Sequence, residues 1–318
     1  RFIFTQAKFK VVRFDMAIKT VRANINGTWH TLTYNSGNGA WEATVNAPGA
    51  TSYNQPNGYY NVQVEATNDA GTKGTADGST VNGLRLVVKE TVAPVITIVS
   101  PANGARVTNN KQPVVFNVTD EAGGSGVDLD SVVVKLDEKP VSAGEIAHSS
   151  ITNGYSFTYT PANVLGDGSH TVTVNAADND GNDAAEKSTS FTVDTVAPSL
   201  NVTSPTDGLI TNSASVTVAG TTNDVTSSPV TVTIKLNEVD QGAVTVGSGG
   251  AFSKAITLTE GANTIAVTST DQAGKSTTVT LHVTLDTSVP VIQSATITPN
   301  PVDAGATMVI SVVIVEGS

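Results

Sequence analysis

One segment occurs three times in this chain, and that recurrence limits the fold more than any other feature. It reads GYYNVQVEATNDAGTKG from Gly58, GSHTVTVNAADNDGNDA from Gly168 and GANTIAVTSTDQAGKST from Gly261. The copies begin 110 and 93 residues apart, and the second glycine of each (Gly71, Gly181, Gly274) keeps its offset. A period near 100 residues repeats a whole domain rather than a solenoid unit. Inside each copy apolar and polar residues alternate: Val62, Val64 and Ala66, then Val172, Val174 and Ala176, then Ile265 and Val267. A period of two marks a half-buried strand. Asn68, Asp178 or Asp271 follows, a residue that accepts a hydrogen bond from backbone two positions on. The glycine three positions later tolerates a positive φ. Each copy therefore predicts a β-hairpin.

A second repeat marks the joints. Thr91-Val92-Ala93-Pro94 and Thr195-Val196-Ala197-Pro198 match, and Thr287-Ser288-Val289-Pro290 is a looser copy. Proline removes a donor and drives the preceding residue into extended backbone, so these are stiff linkers entering a first strand. Ser-Pro turns follow at Ser100 and Ser204, 104 residues apart, the same spacing as Pro94 to Pro198. Further alternation places strands at Val114, Phe116 and Val118, at Val132, Val134 and Leu136, at Val216 and Val218, and from Val230 to Leu236. Turn signals every 8 to 12 residues or so are those of a Greek-key sandwich. The expected fold is all-β: tandem immunoglobulin-like Greek-key β-sandwiches in an elongated array. The division expected is an N-terminal extension over 1–15, Ig-like domains over 16–91, 92–194 and 195–286, and a partial fourth domain or hairpin over 287–318.

The two ends depart from the pattern. Val21, Ala23 and Ile25 lead into Asn26-Gly27, a two-residue hairpin signal, with His30, Leu32 and Tyr34 on the return. The first domain thus lacks the usual opening strands unless residues 1–15 supply one. At the other end, two strands surround Pro299-Asn300-Pro301, and two strands do not close a sandwich. Spare strands at one end and missing ones at the other suggest head-to-tail self-association by strand addition. Met16-Ala17-Ile18-Lys19 reads as a translation start. Lys8, Lys10 and Arg13 interrupt the apolar residues before it, so no signal peptide is expected there. That leaves a fragment, or a chain that exits the cell by another route such as lysis during virus release.

The residues of 92–286, through the T-V-A-P joint and the A-x-D-x-x-G hairpin, resemble the bacterial Ig-like repeats of surface adhesins, of modules appended to enzymes, and of phage tails and capsids. The segment MAIKTVRANINGTWHTLTYN from Met16 is similar to the opening of small Ig-like accessory proteins in phages of Gram-positive bacteria. The resemblance implies a non-catalytic, extracellular, often glycan-facing part on a virion or bacterial cell surface, and it assigns no binding residue. The expected role is a spacer and attachment module, first as a phage tail or virion accessory contacting the host envelope. The alternatives are an adhesin stalk and the non-catalytic part of a secreted glycan-cleaving enzyme. The expected partners are an envelope glycan or protein ligand and a larger virion or surface assembly.

Composition and motifs narrow the chemistry. The net charge is −11 with only 17 Lys and Arg, which argues against a nucleic-acid partner. No run approaches 18 apolar residues, so no membrane insertion is expected. The absence of Cys removes thiolate chemistry and disulfides but leaves the compartment open. Gly274-Lys275-Ser276 imitates the end of a phosphate loop, yet the required first glycine falls on Ser269. His30, His148, His170 and His282 have no zinc spacing, and no G-x-S-x-G elbow occurs. Not an enzyme is the expectation, with no cofactor other than calcium. For calcium, Asp178, Asp180, Asn182 and Asp183 crowd one turn while Asp120, Glu121, Asp128 and Asp130 lie in another loop of the same domain, and hard oxygen donors at alternate positions suit Ca²⁺. The competing reading is a solvated turn in which Asp caps backbone. For a glycan, Tyr53 and Tyr59 lie on a Gly/Asn/Pro-rich loop of the first domain, while Trp41 is expected inside.

Overall fold

A computed structural model describes residues 17–317 of the chain. It is built almost wholly of strands, with three short 3₁₀ turns and no α-helix among the described residues. Contacts divide it into two compact units. One holds most of the chain up to Phe191, and the other holds Thr192 onward together with 106–110 and 166–168.

The first unit contains two sandwiches. In the first, five antiparallel strands lie in the order Ala40–Glu42, Thr28–Asn35, Ile18–Ile25, Gln63–Asn68, Lys73–Ala76, with Tyr60–Asn61 paired to Arg85–Leu86 as a small separate ladder. Asn26 and Gly27, at φ 49° and 85°, make the two-residue turn that sets Ile25 opposite Thr28 and Val21 opposite Leu32. That register puts Val21, Ala23 and Ile25 on one face, where they join Leu32, Val62 and Leu84 in the core. Trp41 is half-buried against this core rather than inside it. The call on residues 1–15 lies outside the described residues.

The second sandwich sets one sheet, ordered Ile146–Ile151, Gly154–Tyr159, Val114–Thr119, Val95–Ser100, against another that includes Lys139–Pro140, Val127–Leu136 and Gly168–Asp178. Val114, Phe116 and Val118 are all buried, as their alternation requires. Phe116 stands opposite Phe157 across the ladder, and the two rings stack with centroids 5.1 Å apart.

In the second unit, the sheet Ser199–Ser204, Ser215–Asn223, Ala251–Thr257 faces the sheet Leu209–Thr211, Ser276–Leu285, Gly261–Thr270, Thr231–Leu236, Val239–Asp240. Leu209–Thr211 runs parallel to its neighbour, and the other pairings are antiparallel. Val218, Ile234, Phe252, Ile265, Val267 and Leu281 are among the residues of its own core. The repeated hairpin appears as read from the sequence: Gly261–Thr270 returns as Ser276–Leu285 around Gly274 at φ 89°. Beyond it, Val291–Thr298 and Val309–Val315 pair as a hairpin in which every residue of both strands is exposed.

Candidate functional site

The aromatic loop of the first sandwich places Tyr53 at the surface, 49% exposed. Tyr59 is half-buried, with the Arg85 guanidinium 5.2 Å from its ring centre. An Arg over the ring face makes a cation–π contact and covers that face. Trp29 is likewise covered by Arg22 at 4.2 Å.

Of the aspartates weighed from sequence for calcium, the structure brings Asp178 and Asp120 into one acidic cluster and leaves Asp128, Asp130, Asp180 and Asp183 out of it. Asp180 is engaged otherwise. Its Oδ2 accepts from the Thr51 hydroxyl and from Glu90 N at 3.1 Å, and its backbone carbonyl accepts from Lys89 Nζ at 2.8 Å. Asp128 Oδ1 accepts from Asp130 N at 3.0 Å, closing a local Asx turn. Asp130 and Asp183 are exposed.

The cluster that Asp178 enters also contains Glu90 and Asp120, one carboxylate oxygen of each lying within 4.8 Å of the others. Glu90 is the residue just before the Thr91-Val92-Ala93-Pro94 joint, Asp120 follows the strand Val114–Thr119, and Asp178 closes the strand of the repeated hairpin. Asp120 Oδ2 accepts from Gly126 N at 2.7 Å, and Asp178 Oδ1 accepts from Asp180 N and Asn182 N, both at 2.9 Å. Asn182 Nδ2 donates to Asp178 Oδ2 at 2.7 Å, and Ser125 N donates to Glu90 Oε1. Asp120 Oδ1 and Glu90 Oε2 are buried and accept no hydrogen bond. Glu121 adjoins them. A hydrogen bond to the Glu90 carboxyl, then burial, with Asp120 adding to both, pushes its carboxyl up to about 7. The loop comes close enough because residue 124 is glycine: a Cβ there would sit 2.6 Å from Asp120 Oδ2 and 2.9 Å from the Glu121 carboxyl.

The second unit contains the same construction. Asp194, Asp224 and Asp271 form a fully buried triad, again with one oxygen of each within 4.8 Å of the others. Asp194 precedes Thr195-Val196-Ala197-Pro198 and lies 104 residues after Glu90, as Asp224 does after Asp120. Asp271 occupies the hairpin position of Asp178. Its Oδ1 accepts from Ala273 N at 2.8 Å and Lys275 N at 2.9 Å, the bonding positions that Asp180 N and Asn182 N supply to Asp178. Thr226 N and Ser227 N bind Asp224 Oδ1, and Val196 N binds Asp194 Oδ1 at 3.1 Å. Asp194 Oδ2, Asp271 Oδ2 and Ser227 Oγ are buried without a partner. Among the described residues, ion pairs join Arg22 and Lys73 to Glu65, His170 to Asp137 and His282 to Asp207, and none of these reaches either triad. At this spacing each pair of ionised carboxylates would repel by about 3.5 kcal/mol or more at an effective dielectric near 20. Sequence reading weighed Asp120 and Asp178 for calcium and placed Asp271 in a turn but missed Glu90, Asp194 and Asp224. The 104-residue register that aligns the prolines also aligns these acids.

A cleft of about 340 Å³ in the second unit is lined by Ser199, Leu200, Asn201, Thr221, Thr222, Asn223 and Gly249. No ionisable side chain lines it, so it presents no acid, base or charged nucleophile.

Repeated two-layer cores, proline joints and glycine hairpins in register define a tandem immunoglobulin-like β-sandwich protein. More particularly, residues 100–195 match the family described as Bacterial Ig-like domain, and residues 198–287 match Glucodextranase, domain B. Bacillopeptidase F of Bacillus subtilis (strain 168) is 28% identical over 186 residues, which are 57% of this chain and 12% of that protein. The chain thus spans about an eighth of that relative. Among solved structures, domains A168-A170 from titin align with 88% of this chain and 96% of theirs, at 13% identity and a TM-score of 0.42. The tetra-tandem repeat in the extending region of a large adhesion protein aligns with 96% of this chain and 82% of its own, at 18% identity and a TM-score of 0.33. No helix among the described residues is long and apolar enough to cross a membrane.

Proposed function

We propose that this chain is a non-catalytic extracellular spacer and attachment module, presented on a virion or bacterial cell surface or joined to a larger secreted protein. The observation that carries this reading is the repetition of self-contained cores: the sandwich of the second unit closes around its own residues, and the first sandwich does likewise. Repeating a closed core adds length and copies rather than a composite cleft, and weak contacts on such a support gain strength from multiplicity. The likeness to domain B of a glucodextranase and to part of bacillopeptidase F favours the accessory region of a secreted hydrolase over the virion role expected first. Tyr53 is the exposed aromatic suited to a weak sugar contact, with Tyr59 beside Arg85 as the second candidate.

The test is a pull-down of the full chain on purified cell-wall glycans and on whole cells, alongside incubation with polysaccharide and protein substrates. Binding without turnover, weakened several-fold in the Tyr53→Ala, Tyr59→Ala double variant, is the expected result. Turnover of any substrate by the purified chain would overturn the non-catalytic reading.

A further inference from the structure

We propose that Glu90, Asp120 and Asp178 form one calcium site and Asp194, Asp224 and Asp271 form a second, one at each proline joint that leads into a sandwich. Turn chemistry explains only part of these residues. Asp178 and Asp271 each spend Oδ1 on the backbone N–H groups two and four residues on. The first sandwich supplies an internal control, because Asn68 holds the same hairpin position and its Oδ1 accepts from Thr72 N, four residues on, at 2.9 Å. A neutral amide therefore closes this turn, and nothing in the turn calls for a charge; Asp178 Oδ2 has a donor in Asn182 Nδ2, whereas Asp271 Oδ2 has none.

The other oxygens are where the argument lies. Asp120 is 7% exposed, Asp271 6% and Asp194 0%, yet each keeps one oxygen with no donor. Buried acceptors without partners cost free energy, and three buried carboxylates side by side cost more. A cation satisfies both demands at once. Its class follows from the donors: all are oxygens, with no His or Cys in either group, which selects a hard ion over zinc or copper. Calcium takes six to eight oxygens at about 2.3–2.6 Å, and one such ion reaches three atoms lying within 4.8 Å of one another. Magnesium is held by about one or two carboxylates and keeps its waters, a poorer match to three buried acids. Ser227 Oγ, fully buried and unpartnered, is a further oxygen of the second unit left without a role.

The experiment uses the full chain. Titration calorimetry should give two Ca²⁺ per chain, and the melting temperature should rise by several degrees between chelator and roughly 5 mM CaCl₂, a concentration above the range of extracellular modules. Asp271→Asn should lower the stoichiometry to one, and Asp178→Asn together with Asp271→Asn to none. In chelator, the Asp271→Asn variant should melt at or above the unmodified chain, because the amide keeps Oδ1 for the turn and turns an unpartnered, repelling oxygen into a donor. This reversal separates loss of a metal site from damage to the fold. No calcium heat, an equal response to Mg²⁺, or a melting gain that survives both substitutions would each overturn the proposal.

Discussion

Ile234 sits fully buried in the core of the second unit, opposite Val267 and packed among Val218, Phe252, Ile265 and Leu281. Ile234→Ala removes three carbons from a site walled by two sheets, which cannot collapse to fill the space. Large-to-small changes of this kind cost about 2–5 kcal/mol. For a sandwich of about 90 residues, the unfolding entropy is roughly 0.19 kcal/mol per degree. A loss of about 3.5 kcal/mol therefore lowers its melting temperature by about 18 °C. Ile234→Val, costing about 1 kcal/mol, should lower it by about 5 °C. Differential scanning calorimetry of the full chain resolves the matter. One transition should move by these amounts while the heat absorbed by the rest of the chain stays at its original temperature. A common shift of the whole envelope would mean that the chain unfolds as one cooperative body, and the reading of repeated independent cores would fail.

The terminal hairpin should contribute nothing to that transition, since both of its faces are exposed; a chain lacking residues 287–318 should melt within about 1 °C of the full one. If the hairpin instead recruits a second copy by strand addition, light scattering will show a mass that grows with concentration in the full chain and stays constant in the truncated one. Glu65 is held below the usual carboxylate range, first by its hydrogen bond to Arg22 and next by Lys73. Its folded pKa lies below its unfolded one, so its contribution is present above the ordinary carboxyl value of 4.5 and is lost as pH falls through the folded value. Glu65→Gln should flatten the acid limb of the melting curve against pH, and an unchanged limb would show that the pairing does not bear on stability.

The strands were legible because a period of two leaves its mark on every half-buried sheet, and the buried set Val114, Phe116, Val118 follows it residue by residue. The turns were legible only where glycine announced them. Asn26-Gly27 stands out, but Asp137-Glu138 and Asn237-Glu238 make the corresponding two-residue turn, with φ of 47° and 67° and of 49° and 68°. Glutamate at positive φ is disfavoured by its Cβ, so propensity gives no hint of a hairpin there, and tertiary pairing of Leu136 with Lys139 and of Leu236 with Val239 holds it. Trp41 shows the converse failure. An indole was expected inside, and it packs at the margin of a core already filled by Leu32, Val62 and Leu84.

Asp120 and Asp178 could be weighed together from sequence, but the complete acidic triads were hidden for a different reason. Each hairpin aspartate has an ordinary occupation, capping the turn it sits in, and a sequence shows no more than that occupation. The unusual part belongs to the second oxygen, whose burial depends on a linker residue some 80 positions away in the chain and on a loop from the opposite sheet. An acid just before a proline joint looks like solvent-facing punctuation until the joint is seen to carry it inward, as it does for Asp194 at 0% exposure. Local rules read one neighbour at a time, whereas the charge balance of a site is a property of residues that meet only once the sandwich has closed. The repeat register is the exception that sequence offers. Acids that recur in step with the prolines, at positions where neutral residues would serve the backbone equally well, point to a demand that the backbone alone does not make.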